Sequence, residues 1–209
     1  VTSLLFLLVL SLAIGNDRGE VLGFPFISFL APGLIAMSII QQSFAHSSSS
    51  LMIGKIQGNI IDTLFAPLSA AEVTFAIVLA AVTRSIIITI LSMIVFSFII
   101  DIKIYSFFYI TIFAFLGSFI LGCLGFIAGL WSEKFDHMAS VTNFLIVPLS
   151  FLSGTFYTIG NLPQFLQIIS KCNPFFYMID GFRYGFLGKS DGSLFIGSFY
   201  LIILAIMLF

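Results

Sequence analysis

The chain alternates long apolar runs with short polar interruptions, and the lengths of the runs name most of the elements. A helix needs about 20 mainly apolar residues to cross about 30 Å of hydrocarbon. On that measure residues 2–15 are the remnant of a first span, Phe24–Ala45 a second, Val73–Ile100 a third, Tyr105–Leu130 a fourth and Met138–Tyr157 a fifth. A sixth starts near Leu194. Asn16–Glu20 (NDRGE), Asp101–Lys103 and Trp131–His137 (WSEKFDH) are tight polar turns between them. Pro25, Pro32 and Gly33 predict a kinked or re-entrant outer half for the second span, and Pro148 an interruption of the fifth. Each Pro removes a backbone hydrogen bond, which inside lipid only neighbouring protein or water can replace.

Two stretches break the pattern. His46–Glu72 is the longest polar-leaning interval in the first half. Within it Ile53, Ile56, Ile60 and Leu64 recur at helical spacing, while Lys55, Gln57, Asn59 and Asp62 take the other faces. This predicts an amphipathic helix over Ile53–Leu64 at a membrane surface. Such a helix either lies in the headgroups or receives a push from something outside the membrane. Residues 158–193 are too polar to span and too apolar for a free loop. Pro163–Ser170 and Phe175–Leu187 have helical amphipathic character, and pieces of about 10 residues read as re-entrant or interfacial segments.

Composition turns these runs into a class. The chain has 209 residues, 60% hydrophobic and only 8% charged, with 27 Phe. Soluble domains carry about 25% charged residues. The fold class is therefore all-α, a polytopic membrane protein with six transmembrane helices forming one transmembrane domain over 1–209. Both ends fall inside apolar runs, so the sequence reads as a fragment with its first and last spans incomplete. The opening TSLLFLLVLSLAIG lacks the basic n-region and A-x-A site of a signal peptide. A net charge of −1 gives nucleic-acid binding no electrostatic support.

The polar residues offer little covalent chemistry. Cys123 sits in an apolar run and Cys172 in a polar loop, neither with a metal-ligand neighbour. His46 and His137 fall at span ends with no carboxylate or thiol at ligand spacing, and no Ser–His–Asp arrangement can be assembled. Gly54-Lys55 is not a phosphate loop, because Ser49 and Ile56 stand where a Walker A motif needs Gly and Ser or Thr. No catalytic residue, cofactor or metal is expected, and any ATP hydrolysis belongs to another polypeptide. Arg84, inside the third span, is an intramembrane charge and by default a functional candidate. It either faces protein and water or snorkels to the headgroups, with Glu72 as a plausible partner. Asp180 and Arg183 lie at i,i+3, which allows a pair on one helix face. Gly125-x-x-x-Gly129 suits close helix packing, within the subunit or at a dimer seam.

Taken in order, these segments resemble the ABC-2 type permease family, the membrane subunits of exporters driven by an ATP-binding cassette. The stretches that carry the resemblance are FLAPGLIAMSIIQQSFAHSSSSLMIGKIQGNIIDTLFAPLS, RSIIITILSMIVFSF and GLWSEKFDHMASVTNFLIVPLSFLSGTFYTIGNLPQFLQIISKCNPFFYMIDGFRYGFLG. The last has a late Pro in span five, a Gly-x-x-Tyr/Phe rise, Leu-Pro, Asn-Pro and Arg-Tyr-Gly-x-x-Gly. The chain most resembles the bacterial inner-membrane branch proposed to export drugs or lipid-like compounds.

The resemblance implies six spans, cytoplasmic termini, a cytoplasmic coupling helix between spans two and three, and outer re-entrant helices between spans five and six. It implies a separate ABC ATPase as partner, a second permease copy, and a path between the copies. ATPase contacts would fall on Lys55, Gln57, Asn59 and Asp62. Where the family often has a Glu-rich run, this chain has GKIQGNIIDTL, so Asp62 takes the neighbourhood of the acidic contact and Lys55 that of the basic one. Asn173, Pro174, Asp180 and Arg183 belong to the outer re-entrant element, either capping the path or fixing the helix locally. Charge counting points the other way. The side holding 158–193 carries Arg18, Lys103, Lys171, Arg183 and Lys189, against Lys55 and Lys134 on the side of the coupling interval. A nucleotide-independent carrier or channel is the alternative from another class, and it would usually show an inverted repeat; none is convincing here. Polysaccharide or lipo-oligosaccharide export is the alternative within the exporter class.

Overall fold

The computed structural model describes residues 5–9, 20–98, 100 and 104–209, apart from the side chains of Glu20 and Leu64. Most of the first expected span, most of the Asn16–Glu20 turn and all of Asp101–Lys103 lie outside these residues, Arg18 and Lys103 among them. Two short strands, β1 (Glu20–Val21) and β2 (Phe24–Pro25), form an antiparallel hairpin around Leu22 and Gly23, both at positive φ. The remaining elements are helical. They are α1 (Phe26–Gln57), α2 (Ile60–Phe65), α3 (Ala70–Ser97), α4 (Phe107–Trp131), α5 (Phe135–Val141), α6 (Val147–Leu152), α7 (Gln164–Cys172), α8 (Pro174–Leu187) and α9 (Leu194–Leu208).

Among the described residues, α1, α3, α4 and the continuous helical stretch Phe135–Leu152 are long and apolar enough to cross a membrane. The protein is thus polytopic and all-α in character. α9 begins at Leu194, as the hydropathy pattern predicts, and has 15 residues.

The sequence reading ends the second span at Ala45 and starts a surface helix at Ile53. Instead one 32-residue helix runs from Phe26 through Pro32 and the Ser47–Ser50 run to Gln57, about 48 Å at 1.5 Å per residue. Pro25 precedes the helix, where its missing N–H is harmless. Ser hydroxyls that would favour a loop bond back onto the helix. Ser43 Oγ donates to Ile39 O (2.8 Å) and Ser48 Oγ to Phe44 O (2.8 Å). The helix stops at Gly58, which takes the left-handed C-cap conformation (φ 78°). The predicted Ile53–Leu64 helix is therefore two pieces: its first half ends α1 and its second is the six-residue α2.

Pro148 acts through the turn before it. It cannot donate to a preceding carbonyl, and residues Thr142–Ile146 form a π-helical turn in which Val147 N donates to Thr142 O. Helix α6 then continues to Leu152, so the fifth span bends its ladder and is not interrupted.

Packing centres on α1, which lies against α3, α4 and α8. Its apolar residues Leu30, Leu34, Ile35, Ile40 and Phe44 are buried with Phe113, Ile120 and Leu121 of α4 and Ile179 and Phe182 of α8. The Gly125-x-x-x-Gly129 stripe serves this seam. A Cβ on Gly125 would stand 2.5 Å from Phe44 O, and one on Gly129 3.0 Å from Ser48 O. Close approach of α4 to α1 inside the subunit explains the motif.

Candidate functional site

The polar residues fall into three groups, one at each end of α1 and one part-way along it. At the end where α1 stops, Lys55 does not project outward. Its Nζ donates to Gly129 O (2.8 Å), Leu130 O (2.6 Å) and Ser132 O (3.1 Å). A cation on the orphan carbonyls at a helix C-terminus is favourable on both hydrogen-bond and dipole grounds. Lys55 thereby ties the end of α1 to the end of α4. Gln57, Asn59 and Asp62 are exposed, as are Ile56, Ile61, Leu68 and, at 85% exposure, Phe65. The segment turns into α3 at Ser69, whose side chain accepts from Glu72 N while Glu72 Oε2 accepts from Ser69 N (2.7 Å). This capping box starts α3 and engages Glu72 at the helix start.

Glu72 is consequently not the partner of Arg84. Arg84 Nη1 lies 2.9 Å from His46 Nδ1 on α1. A guanidinium only donates, so His46 Nδ1 accepts, which places the imidazole proton on Nε2. One turn along α1 the Ser43 and Ser85 hydroxyls meet; with one proton each, one donates to the other, which donates back to a carbonyl of its own helix. Arg84 and His46 were both visible in the sequence, but as isolated residues. Their 38-residue separation hid the pairing until the antiparallel packing of α1 and α3 was known.

At the opposite end stands α8. Asn173 caps it, its Oδ1 accepting from Phe175 N (3.0 Å) while its Nδ2 donates to Leu149 O (2.8 Å). Pro174 occupies the first helical turn, where Pro is pre-organised. Asp180 and Arg183 attract one another electrostatically across the i,i+3 spacing, while each makes its hydrogen bonds with a different loop. Asp180 (3% exposed) accepts from Asp191 N (2.9 Å) and Gly192 N (3.0 Å), pinning the loop ahead of α9. Arg183 (2% exposed) reaches into the bundle. Its Nη2 donates to Gly154 O (2.8 Å) and Thr155 O (3.3 Å), and its guanidinium sits 3.8 Å from the centre of the Phe29 ring. Gly33 leaves room for it: a Cβ there would stand 3.0 Å from Nη2 and 2.9 Å from Thr155 O. Asp191 faces the same region, and burial pushes its carboxyl above the usual range despite the opposing pull of Arg183. Since Arg183 is enclosed by protein, it is not a loop charge of the kind that sets membrane orientation.

Among the described residues, three spanning helices beside a buried fourth, α1, with an exposed turn at one end and a buried polar anchor at the other, make the frame of a multi-pass membrane protein. The ABC-2 type transporter family matches residues 1–187, and the chain belongs to that family. It is similar to the inner membrane transport permease YadH of Escherichia coli (strain K12), at 34% identity over 97% of this chain and 82% of the relative. The protein of the same name from Shigella flexneri matches equally, at 34% identity over the same shares. The chain is a multi-pass protein of the inner membrane.

Proposed function

We propose that this chain is the permease subunit of an ATP-driven exporter and that a separate ABC ATPase docks on residues 57–69, from the cytoplasm. The observation that carries this is the exposed α2 segment. Ile61 and Phe65 present an apolar patch beside Gln57 and Asp62, between two spans. Apolar anchors ringed by polar groups are what an interface uses. Lys55 transmits the push: a displacement of the turn reaches α4 through its three carbonyl bonds and reaches α8 along the length of α1. Two permease copies enclose the path, and the substrates are hydrophobic or lipid-like compounds.

A photo-crosslinker in place of Phe65 is expected to capture the cognate ATPase, and one in place of Phe195 on α9 is not. Asp62→Arg combined with Phe65→Ala should weaken ATPase binding at least tenfold, or about 1.4 kcal/mol. Lys55→Met should leave binding unchanged while reducing coupled transport. Undiminished binding by the double variant refutes the docking assignment.

A further inference from the structure

A cavity of about 610 Å³ lies behind the α2 turn. Leu51 of α1, Val73 and Ile77 of α3 and Phe126 and Leu130 of α4 form its apolar wall. Ser50, Asn59 and Thr63 gather toward the α2 end, where the chain leaves the spans. Its size falls within the roughly 300–1,000 Å³ typical of small-molecule sites, as does its mix of apolar walls and few polar groups. Among the described residues, no Asp, Glu, Lys, Arg or His lines it. Lys55 is nearby in sequence, but its ammonium is held on the α4 carbonyls.

From this lining we infer that the cavity binds a single-chain membrane amphiphile with an uncharged, hydrogen-bonding head, of the monoacylglycerol type. The hydrocarbon chain runs along Leu51, Ile77 and Phe126, toward the membrane interior. The hydroxylated head meets Asn59, Thr63 and Ser50 at the membrane face, so the molecule keeps the orientation it has in the bilayer. A charged head is disfavoured because the lining offers it no counter-charge and burying an unpaired ion is costly. Gly54 forms part of the wall, and a Cβ there meets nothing within 4 Å. The backbone of α1 is therefore open to the cavity at that residue. The occupant wedges between α2 and the bundle, which makes this a site distinct from the outer anchor at Arg183.

The test uses the protein in lipid nanodiscs, with no ATPase present, so its outcome is independent of the docking proposal. A photoactivatable monoacylglycerol carrying a diazirine in its chain is the probe, and adducts are mapped by mass spectrometry. Labelling is expected to concentrate in residues 50–77 and 126–130, and to fall at least tenfold in Gly54→Phe, which fills the cavity while improving helix propensity. Ile77→Trp is a second filling variant from the opposite wall. An excess of unlabelled monoacylglycerol should compete, and the fatty acid of the same chain length should compete less well. Labelling that is no denser here than on the lipid-facing residues of α9, or that survives both filling variants, overturns the inference. Equal competition by the charged fatty acid overturns the assignment of the head.

Discussion

Replacing Arg183 by Met is expected to be the most damaging single change to the stability of the bundle. The side chain is wholly enclosed, and its loss strands the carbonyls of Gly154 and Thr155 and uncovers the Phe29 ring. Each buried acceptor left unpaired costs about 1–3 kcal/mol, and a desolvated cation–π contact contributes about 2 kcal/mol. The expected result is a fall of about 3 kcal/mol or more in stability, seen as a large drop in melting temperature in detergent. Arg183→Lys should not rescue it, because an ammonium cannot reach two carbonyls and lie flat on a ring at once. If Arg183→Met melts with the parent, α8 is not anchored through this residue.

The second large effect belongs to the α1–α4 seam. Gly125→Val places a Cβ 2.5 Å from Phe44 O and 3.1 Å from Phe44 Cα, all backbone of a packed helix that cannot swing aside. Overpacking of this kind costs about 1–3 kcal/mol, with more expected where backbone must move. Gly160→Val is the control, since nothing lies within 4 Å of a Cβ there. Thermal stability of the purified subunit should fall for Gly125→Val and hold for Gly160→Val. A loss confined to self-association, with monomer stability intact, would instead make the stripe a dimer seam.

The four spans found among the described residues were legible because hydropathy alone sets them. α9 starts at Leu194, and α7 and α8 fall almost where amphipathic spacing put them. The coupling interval was misread for a physical reason. Ile53 and Ile56 have the spacing of a separate surface helix, yet nothing between Ala45 and Ile53 breaks a helix when Ser hydroxyls bond back to it. The true stop is Gly58, whose signal is a lone glycine in a stretch that also holds Gly54. Site residues were recognisable as types and not as partners. Lys55, read as the basic ATPase contact, caps α4; Arg84 finds His46 in place of Glu72; and Asp180 and Arg183 bind different loops. Each of those bonds except the capping box of Glu72 spans more than ten residues, beyond what helical or strand periodicity encodes.

These contacts give α1 its role in the account. It is one continuous helix fixed to α4 by Lys55 at one end and to α8 through Phe29 and Arg183 at the other. A movement imposed near Gln57 has a direct mechanical route along α1 to α8. In the proposed function this route carries the motion of the docked ATPase along α1.

Uptake of a hydrophobic fluorescent dye into everted membrane vesicles, with the protein and its cognate ATPase co-expressed, tests this most directly. The account predicts uptake that requires ATP, disappears when the Walker lysine of the ATPase is replaced, and is unaffected by a protonophore. Uptake that survives loss of that lysine and collapses with the protonophore would contradict it.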